Sequence, residues 1–339
     1  MGNIMWYYIS KYFYKGSNHM VLSFVLLIVG FVLLVKGADF FVDGSSSIAK
    51  FMKIPSIVIG LTIVAFGTSA PEAAVSIIAG INGSNDIAVG NVIGSNMFNL
   101  LVVLGVSAAI KPVSIDGQII KKDYPFMLLA TLALVLFSFF SFFGGGTGRS
   151  ISRIEAIILL VLMVVFLYSV ITSALRTRKE NAAALEEDKP KYGIVKSIIF
   201  TVGGLAGIII GGQLVVDSAS DIATRFGMSE TLVGLTIVAV GTSLPELVTS
   251  IVAAKKGESD IAIGNVVGSN VFNILFVLAA SAAITPMNIN AQSLVDLVIL
   301  MAITALTYVF CVTQKKINRP EGIILVLMYA GYMTYAIVR

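Results

Sequence analysis

The chain has 339 residues, of which 57% are hydrophobic and only 12% charged, and its mean hydropathy is +0.95. Soluble domains carry about 25% charged residues, so the composition excludes a soluble globular protein and predicts an all-α polytopic membrane protein. The single cysteine excludes an internal disulfide or a cysteine metal cluster. The net charge of +4 is scattered between apolar runs, which argues against a nucleic-acid partner and for a charge bias that orients the chain in a lipid bilayer.

Apolar runs long enough to cross a bilayer, about 20 residues each, recur along the whole chain. We predict ten spans, at 21–45, 54–82, 86–110, 124–144, 153–175, 193–217, 228–255, 260–284, 291–313 and 321–338. The polar stretch between the fifth and sixth spans is the predicted linker. The expected organisation is an N-terminal extension (1–19), a first five-helix repeat (20–175), a linker (176–192) and a second five-helix repeat (193–339).

The two halves of the chain are copies of one another. Residues 60–99 and 234–273, separated by a constant 174 positions, are identical at 26 of 40 positions without a gap. Membrane composition alone does not produce such a match, so the halves are predicted to be a duplication. Because each half holds an odd number of spans, the second must enter the membrane from the opposite side, which makes the duplication an inverted repeat.

Each copy carries Gly-Thr-Ser-x-Pro-Glu, at 67–72 and at 241–246. Proline lacks an N–H group and clashes with the carbonyl four residues back, so the second and seventh helices are predicted to be broken. A charged residue at membrane depth costs about 2.5 kcal/mol or more unless it is paired or solvated. A proline kink with a hydrated glutamate would explain one copy. Two corresponding breaks instead indicate the binding site of a transporter.

The side chains around the two breaks are predominantly oxygen donors. A helical face that includes a glutamate repeats in both copies, with Ala65, Thr68, Ser69, Glu72 and Ser76 in the first and Ala239, Thr242, Ser243, Glu246 and Ser250 in the second. The next span adds Asn91, Ser95 and Asn99, and its counterpart adds Asn265, Ser269 and Asn273. Carboxylates, hydroxyls and carbonyls suit calcium, which takes 6–8 oxygen ligands. No imidazole or thiolate in either copy suits a transition metal.

The doubled motif, continued by Gly-Asn-Val-x-Gly-Ser-Asn-x-Phe-Asn at 90–99 and 264–273, closely resembles the α-repeats of the sodium/calcium exchangers, prokaryotic type, in the cation/calcium exchanger superfamily. The resemblance implies ten helices in two inverted repeats around a midplane site that holds calcium or sodium. It implies Glu72 and Glu246 as the central ligands. The remaining ligands it implies are Thr68, Ser69, Thr242, Ser243, Ser95, Asn99, Ser269 and Asn273, with the main-chain carbonyls of Ala65 and Ala239.

The function expected from this resemblance is secondary active antiport of sodium against calcium by alternating access. No cofactor or protein partner is implied beyond the two ions and the lipid bilayer. In the exchangers this chain resembles, potassium-dependent members carry an acid where Asn273 stands, so we expect no potassium dependence. The same exchangers carry three sodium ions per calcium ion, which implies that a site with only two carboxylates exchanges the ions electrogenically. A proton/calcium exchanger of the same superfamily is the nearest alternative. A paired-acid intramembrane hydrolase would need two facing aspartates.

The orientation follows from the basic residues in the short loops. Sixteen lysines and arginines fall on the side of the first predicted loop, and six on the other. The positive-inside rule therefore predicts a multi-pass protein of the cell membrane with both termini extracytoplasmic and the central linker cytoplasmic.

Overall fold

The computed structural model describes residues 19–142, 149–180, 190–228, 237 and 239–339. The N-terminal extension, apart from His19, and residues 181–189 of the predicted linker lie outside these residues. The first half contains the helices α1 (His19–Met52), α2 (Ser56–Thr68), α3 (Ala70–Ile81), α4 (Asn85–Ile110), α5 (Ile119–Phe140) and α6 (Arg153–Glu180). The second half contains α7 (Ile194–Arg225), α8 (Leu244–Lys256), α9 (Ser259–Ile284), α10 (Ala291–Gln314) and α11 (Arg319–Val338).

Within the described residues, eight helices are long and apolar enough to cross a membrane, and the bent pair α2–α3 would make a ninth. The chain is therefore a multi-pass helical membrane protein. Two helices occupy its interior, because 94% of the residues in an apolar 18-residue stretch of α9 are buried, and 72% of those in the equivalent stretch of α4. In α11 only 11% of such a stretch is buried, so this helix lies at the outside of the bundle, where lipid covers its apolar side chains.

The break predicted in the second span is confirmed. Helices α2 and α3 meet at 51°, and Ser69 between them has φ −83° and ψ 8°, away from helical values. Pro71 lies in the first turn of α3, where its missing N–H group costs nothing. The second copy has the same local form, since Ser243 has φ −93° and ψ 8° directly before α8. Residues 229–236 and 238 of the seventh span lie outside the described part.

Helices α1 and α7 pack against each other along glycines. A Cβ atom added at Gly37 would lie 2.8 Å from the carbonyl oxygen of Gly204, and one added at Gly204 would lie 2.5 Å from the main-chain nitrogen of Phe41. A second contact of the same kind joins Gly30 and Gly211. Lipid tails are as apolar as leucine, so membrane helices associate through close packing, which small residues permit. The glycines therefore allow the first helix of one half to pack closely against the first helix of the other.

Two short antiparallel ribbons also connect the halves. Strand β1 (Val113–Ser114) pairs with β4 (Lys316–Ile317), and β2 (Ser150–Ile151) pairs with β3 (Met287–Asn288). Each ribbon joins one strand from each half of the chain. The loop after α4 therefore lies on the same side of the helix bundle as the loop after α10, and the loop after α5 lies with the loop after α9.

Candidate ion-binding site

Both motif glutamates lie in the interior, at the points where the helices are interrupted. Glu72 is in the first turn of α3 and Glu246 in the first turn of α8, and the side chains of both are 0% exposed. The unpaired N–H groups and the dipole at a helix N-terminus favour negative charge there. The proline that breaks each helix thus also creates the N-terminus that stabilises the following carboxylate.

The two glutamates are bonded reciprocally by serines from the opposite copy of the motif. The Ser69 hydroxyl donates to Oε1 of Glu246 at 2.8 Å, and the Ser243 hydroxyl donates to Oε1 of Glu72 at the same distance. Each of these two bonds joins the first half of the chain to the second. The structure therefore brings both copies of the motif to one place.

Several oxygens here are buried yet accept or donate no hydrogen bond within the described part of the chain. Among the predicted site residues these atoms are Glu72 Oε2, Glu246 Oε2, Ser95 Oγ, Asn99 Oδ1 and Asn273 Oδ1. An unpaired buried polar atom costs about 1–3 kcal/mol, and more when it is charged. Such atoms in native proteins call for a partner, which for carboxylate and amide oxygens is a cation or a donor group. This group of oxygen ligands fits a hard cation such as calcium.

The other predicted site residues have different roles in the structure. Thr68 donates to Asn265 Oδ1 at 3.0 Å, and Ser269 donates to the carbonyl of Ala65 at 3.4 Å. The hydroxyls of Thr68 and Ser269 also lie within reach of Glu246. Thr242 is half-buried, and its hydroxyl lies within reach of Glu72.

Ala239 begins the single helical turn Ala239–Gly241 that precedes the second break. Its side chain lies outside the described part of the structure. Its place one turn before Ser243 corresponds to that of Ala65 before Ser69.

One asparagine ties each motif to the helix that follows it. Asn91 donates through Nδ2 to the Glu72 carbonyl at 3.2 Å and to Ser76 at 2.8 Å. Asn265 makes the same pair of bonds to the Glu246 carbonyl, at 3.3 Å, and to Ser250, at 3.0 Å. Both asparagines were placed on the polar face by the sequence. Their structural role is to hold the first turn of the glutamate helix.

Asn96 and Asn270 were not among the site residues predicted from the sequence. Both are buried, and they lie between α4 and α9, where they contact Asn99 and Asn273. They fall off the face formed by positions four residues apart, because each follows Ser95 or Ser269 directly. The signal that marks them is their identity in the two copies, within the repeated Gly-Ser-Asn-x-Phe-Asn.

Known proteins resemble this chain over nearly its whole length. The family model described as sodium/calcium exchanger protein matches residues 22–172 and 196–338. A putative antiporter, CaxA, of Alkalimonas amylolytica is 39% identical over 320 residues, covering 92% of this chain and 98% of the relative. The sodium/calcium exchanger MaX1 of Methanosarcina acetivorans is 34% identical over 343 residues, covering 93% and 98%.

A solved structure of the sodium-calcium exchanger NCX_Mj, soaked with 10 mM Na⁺ and zero Ca²⁺, superposes with a TM-score of 0.80 at 31% sequence identity. The alignment covers 93% of this chain and 99% of that one. The family model, the relatives and the fold thus agree over nearly the whole length. This chain belongs to the sodium/calcium exchanger family, whose members are membrane transporters and not enzymes.

Proposed function

We propose that this protein is a secondary active antiporter that exchanges sodium for calcium across the membrane by alternating access. The observation that carries the proposal is the reciprocal pair Ser69–Glu246 and Ser243–Glu72, in which both carboxylates are fully buried and each keeps one oxygen unpartnered. Two buried carboxylates are costly unless a cation compensates them. One calcium ion neutralises both.

The proposed ion ligands fall into two levels. The carboxylates of Glu72 and Glu246 are the central ligands, because each supplies an unpartnered oxygen. The hydroxyls, the amide oxygens and the carbonyls complete the site. This second set consists of Thr68, Ser69, Thr242, Ser243, Ser95, Asn99, Ser269 and Asn273, with the carbonyls of Ala65 and Ala239. Hydroxyls that now donate to the carboxylates turn a lone pair towards an ion when it binds.

We further propose that the fold consists of ten spans in two inverted repeats, 20–175 and 193–339, joined by the linker 176–192. Support comes from the pairs of equivalent bonds that relate the halves. Exchanging each residue for its partner 174 positions away turns the bond Ser69–Glu246 into Ser243–Glu72. Strands β1 and β3 also lie 174 positions apart, and each pairs with a strand of the other half, as expected when one ribbon is the symmetry equivalent of the other.

In the proposed orientation both termini are extracytoplasmic and the linker is cytoplasmic. The excess of lysine and arginine in the loops on the linker side supports this arrangement. In that frame, the β1–β4 ribbon is cytoplasmic and the β2–β3 ribbon extracytoplasmic. A reporter fusion after Arg339, with alkaline phosphatase expected active and green fluorescent protein dark, tests it. The opposite pattern would reverse the orientation.

The experiment that tests the function is calcium uptake by proteoliposomes loaded with sodium. We expect an outward sodium gradient to drive calcium accumulation, and accumulation to disappear when sodium is equal on both sides. A second arm applies an outward proton gradient without sodium. Uptake driven by protons and indifferent to sodium would replace the proposal with a proton/calcium exchanger.

A further inference from the structure

Four asparagines form a closed group of hydrogen bonds between the two most buried helices, α4 and α9. Asn99 donates through Nδ2 to Oδ1 of Asn270 at 3.1 Å, and Asn273 donates through Nδ2 to Oδ1 of Asn96 at 3.1 Å. Asn96 and Asn270 in turn each donate through Nδ2 to the main-chain carbonyl of the other, at 3.3 and 3.4 Å. All four residues are at most 1% exposed, so water does not compete for these bonds.

The bonds leave only one orientation for each amide. A side-chain amide has an accepting oxygen on one side and a donating nitrogen on the other. The main-chain carbonyl of Asn96 only accepts, so Asn270 must turn its Nδ2 to it and its Oδ1 to Asn99. Asn99 must then present its Nδ2, which leaves its own Oδ1 facing away from Asn270. The same logic runs from the carbonyl of Asn270 through Asn96 to Asn273.

Two side-chain oxygens take no part in these hydrogen bonds, namely Asn99 Oδ1 and Asn273 Oδ1. Both are buried, and neither has a hydrogen-bond partner within the described residues. They are two of the unpartnered oxygens of the candidate site. Asn96 and Asn270 have no such atom, since their Oδ1 atoms accept from Asn273 and Asn99. Asn99 and Asn273 thus each keep one unpartnered oxygen, and Asn96 and Asn270 fix the orientation of the amides that carry these oxygens.

We propose that Asn96 and Asn270 are positioning residues of the ion site, which compel Asn99 and Asn273 to present oxygen rather than NH₂ to the ions. The inference rests on the proposed function. An amide flipped by half a turn would aim a donor at a cation and remove one ligand. Partners in the outer shell of a metal site typically contribute about 10–100-fold in affinity through such orientation.

The proposal separates an effect on affinity from an effect on stability. Without Asn270, the Nδ2 group of Asn99 loses its acceptor, and the amide is free to turn. The number of charges in the site is unchanged, so the voltage dependence of exchange is expected to stay as in the wild type. A merely structural role predicts loss of thermal stability with an unchanged calcium affinity in the folded protein.

The test is a double-mutant cycle on the detergent-purified full chain, with calcium chloride binding measured by calorimetry and unfolding temperature measured without calcium. We expect Asn270→Leu to lower calcium affinity about tenfold or more. Because Asn270 acts through Asn99, the double variant N99L/N270L is expected to bind calcium as weakly as N99L alone. In the Asn273→Leu background, where the partner Asn99 is intact, Asn270→Leu is expected to keep its full effect.

Thr131→Val is the matched control, since the buried Thr131 hydroxyl donates only to its own helix, at the Met127 carbonyl. If Asn270→Leu does not fold, Asn270→Ala removes the same acceptor without adding bulk. Additive losses in N99L/N270L, or unchanged calcium affinity with a lowered unfolding temperature, would overturn the proposal. Calcium binding without sodium-driven exchange in the wild type would overturn only the proposed function. A wild type that binds no calcium would overturn both.

Discussion

Ser69 of the first motif donates a 2.8 Å hydrogen bond to Glu246 of the second, across 177 positions of sequence. The bond is repeated in reverse between Ser243 and Glu72. Each carboxylate is therefore held by the helix break of the other half. A movement of the first break therefore displaces Glu72 and also Ser69, which is the hydrogen-bond donor to Glu246. The two halves are thereby coupled at the place where ions are proposed to bind.

The reciprocity predicts matched effects of two serine variants. Ser69→Ala and Ser243→Ala each remove a hydroxyl that holds one carboxylate and that is itself a proposed ion ligand. Loss of a group that orients a metal ligand typically lowers metal affinity about 10–100-fold. We expect both to raise the KM for calcium by a similar factor, measured by flux into proteoliposomes. Ser281→Ala serves as the control, because the Ser281 hydroxyl donates to the Val277 carbonyl of its own helix. A large effect of only one serine variant would contradict the equivalence of the two bonds.

The two glutamates are predicted to be indispensable. Glu72→Gln and Glu246→Gln keep the shape of the side chain but each remove one of the two negative charges of the site, so we expect calcium flux to be abolished. Glu155→Gln is the matched control, because Glu155 is equally buried but bonds to Ser152 near the start of α6. Size-exclusion profiles and unfolding temperatures verify folding. Wild-type flux in either glutamate variant would disprove the assignment.

The neutral pair Asn99 and Asn273 predicts exchange without potassium. We expect sodium-driven calcium uptake by proteoliposomes to be the same when potassium is replaced by choline on both sides. Asn273→Asp is the companion variant, since it adds a third carboxylate to the proposed site. If the unmodified protein required potassium, the interpretation of Asn273 would be wrong.

The charge of the site predicts electrogenic exchange. Two ionised glutamates carry a charge of −2, which one calcium ion neutralises, whereas the three sodium ions per calcium that the family resemblance implies leave a charge of +1. One charge crossing the membrane potential is worth about 2.3 kcal/mol per 100 mV. We therefore expect an inside-negative potential, set with valinomycin and potassium, to favour sodium entry and calcium extrusion. Flux and end points that do not respond to voltage would indicate two sodium ions or proton sharing.

The contact between α1 and α7 predicts opposite outcomes for two neighbouring glycines. A Cβ atom at Gly204 meets the main chain of α1 at 2.5 Å, whereas one at Gly203 meets nothing within 4 Å. Gly204→Ala is expected to cost about 1–3 kcal/mol through overpacking and to lower the unfolding temperature in detergent. Gly203→Ala is expected to be neutral or slightly stabilising, because alanine is the better helix former. Equal unfolding temperatures would refute the close approach.

The class of the protein, the duplication, the helix breaks and the residues at them could all be predicted from the amino-acid sequence. These features depend on composition, on proline chemistry and on the match between the halves, all of which are local or can be compared position by position. The break at Ser69 and the burial of Glu72 and Glu246 agree with these predictions. The family could also be predicted, because the doubled motif can be read directly from the sequence.

The hydrogen-bond partner of each polar side chain could be identified only from the three-dimensional structure. The pairing of Ser69 with Glu246, the bonds of Asn270 to Asn96 and Asn99, and the glycine contact of α1 with α7 all join residues from different halves. Helical periodicity states which side chains share a face, but not the helix that the face meets. In lipid the apolar pattern adds no preference, because tails are as apolar as leucine. Only close packing and hydrogen-bond geometry select the partner.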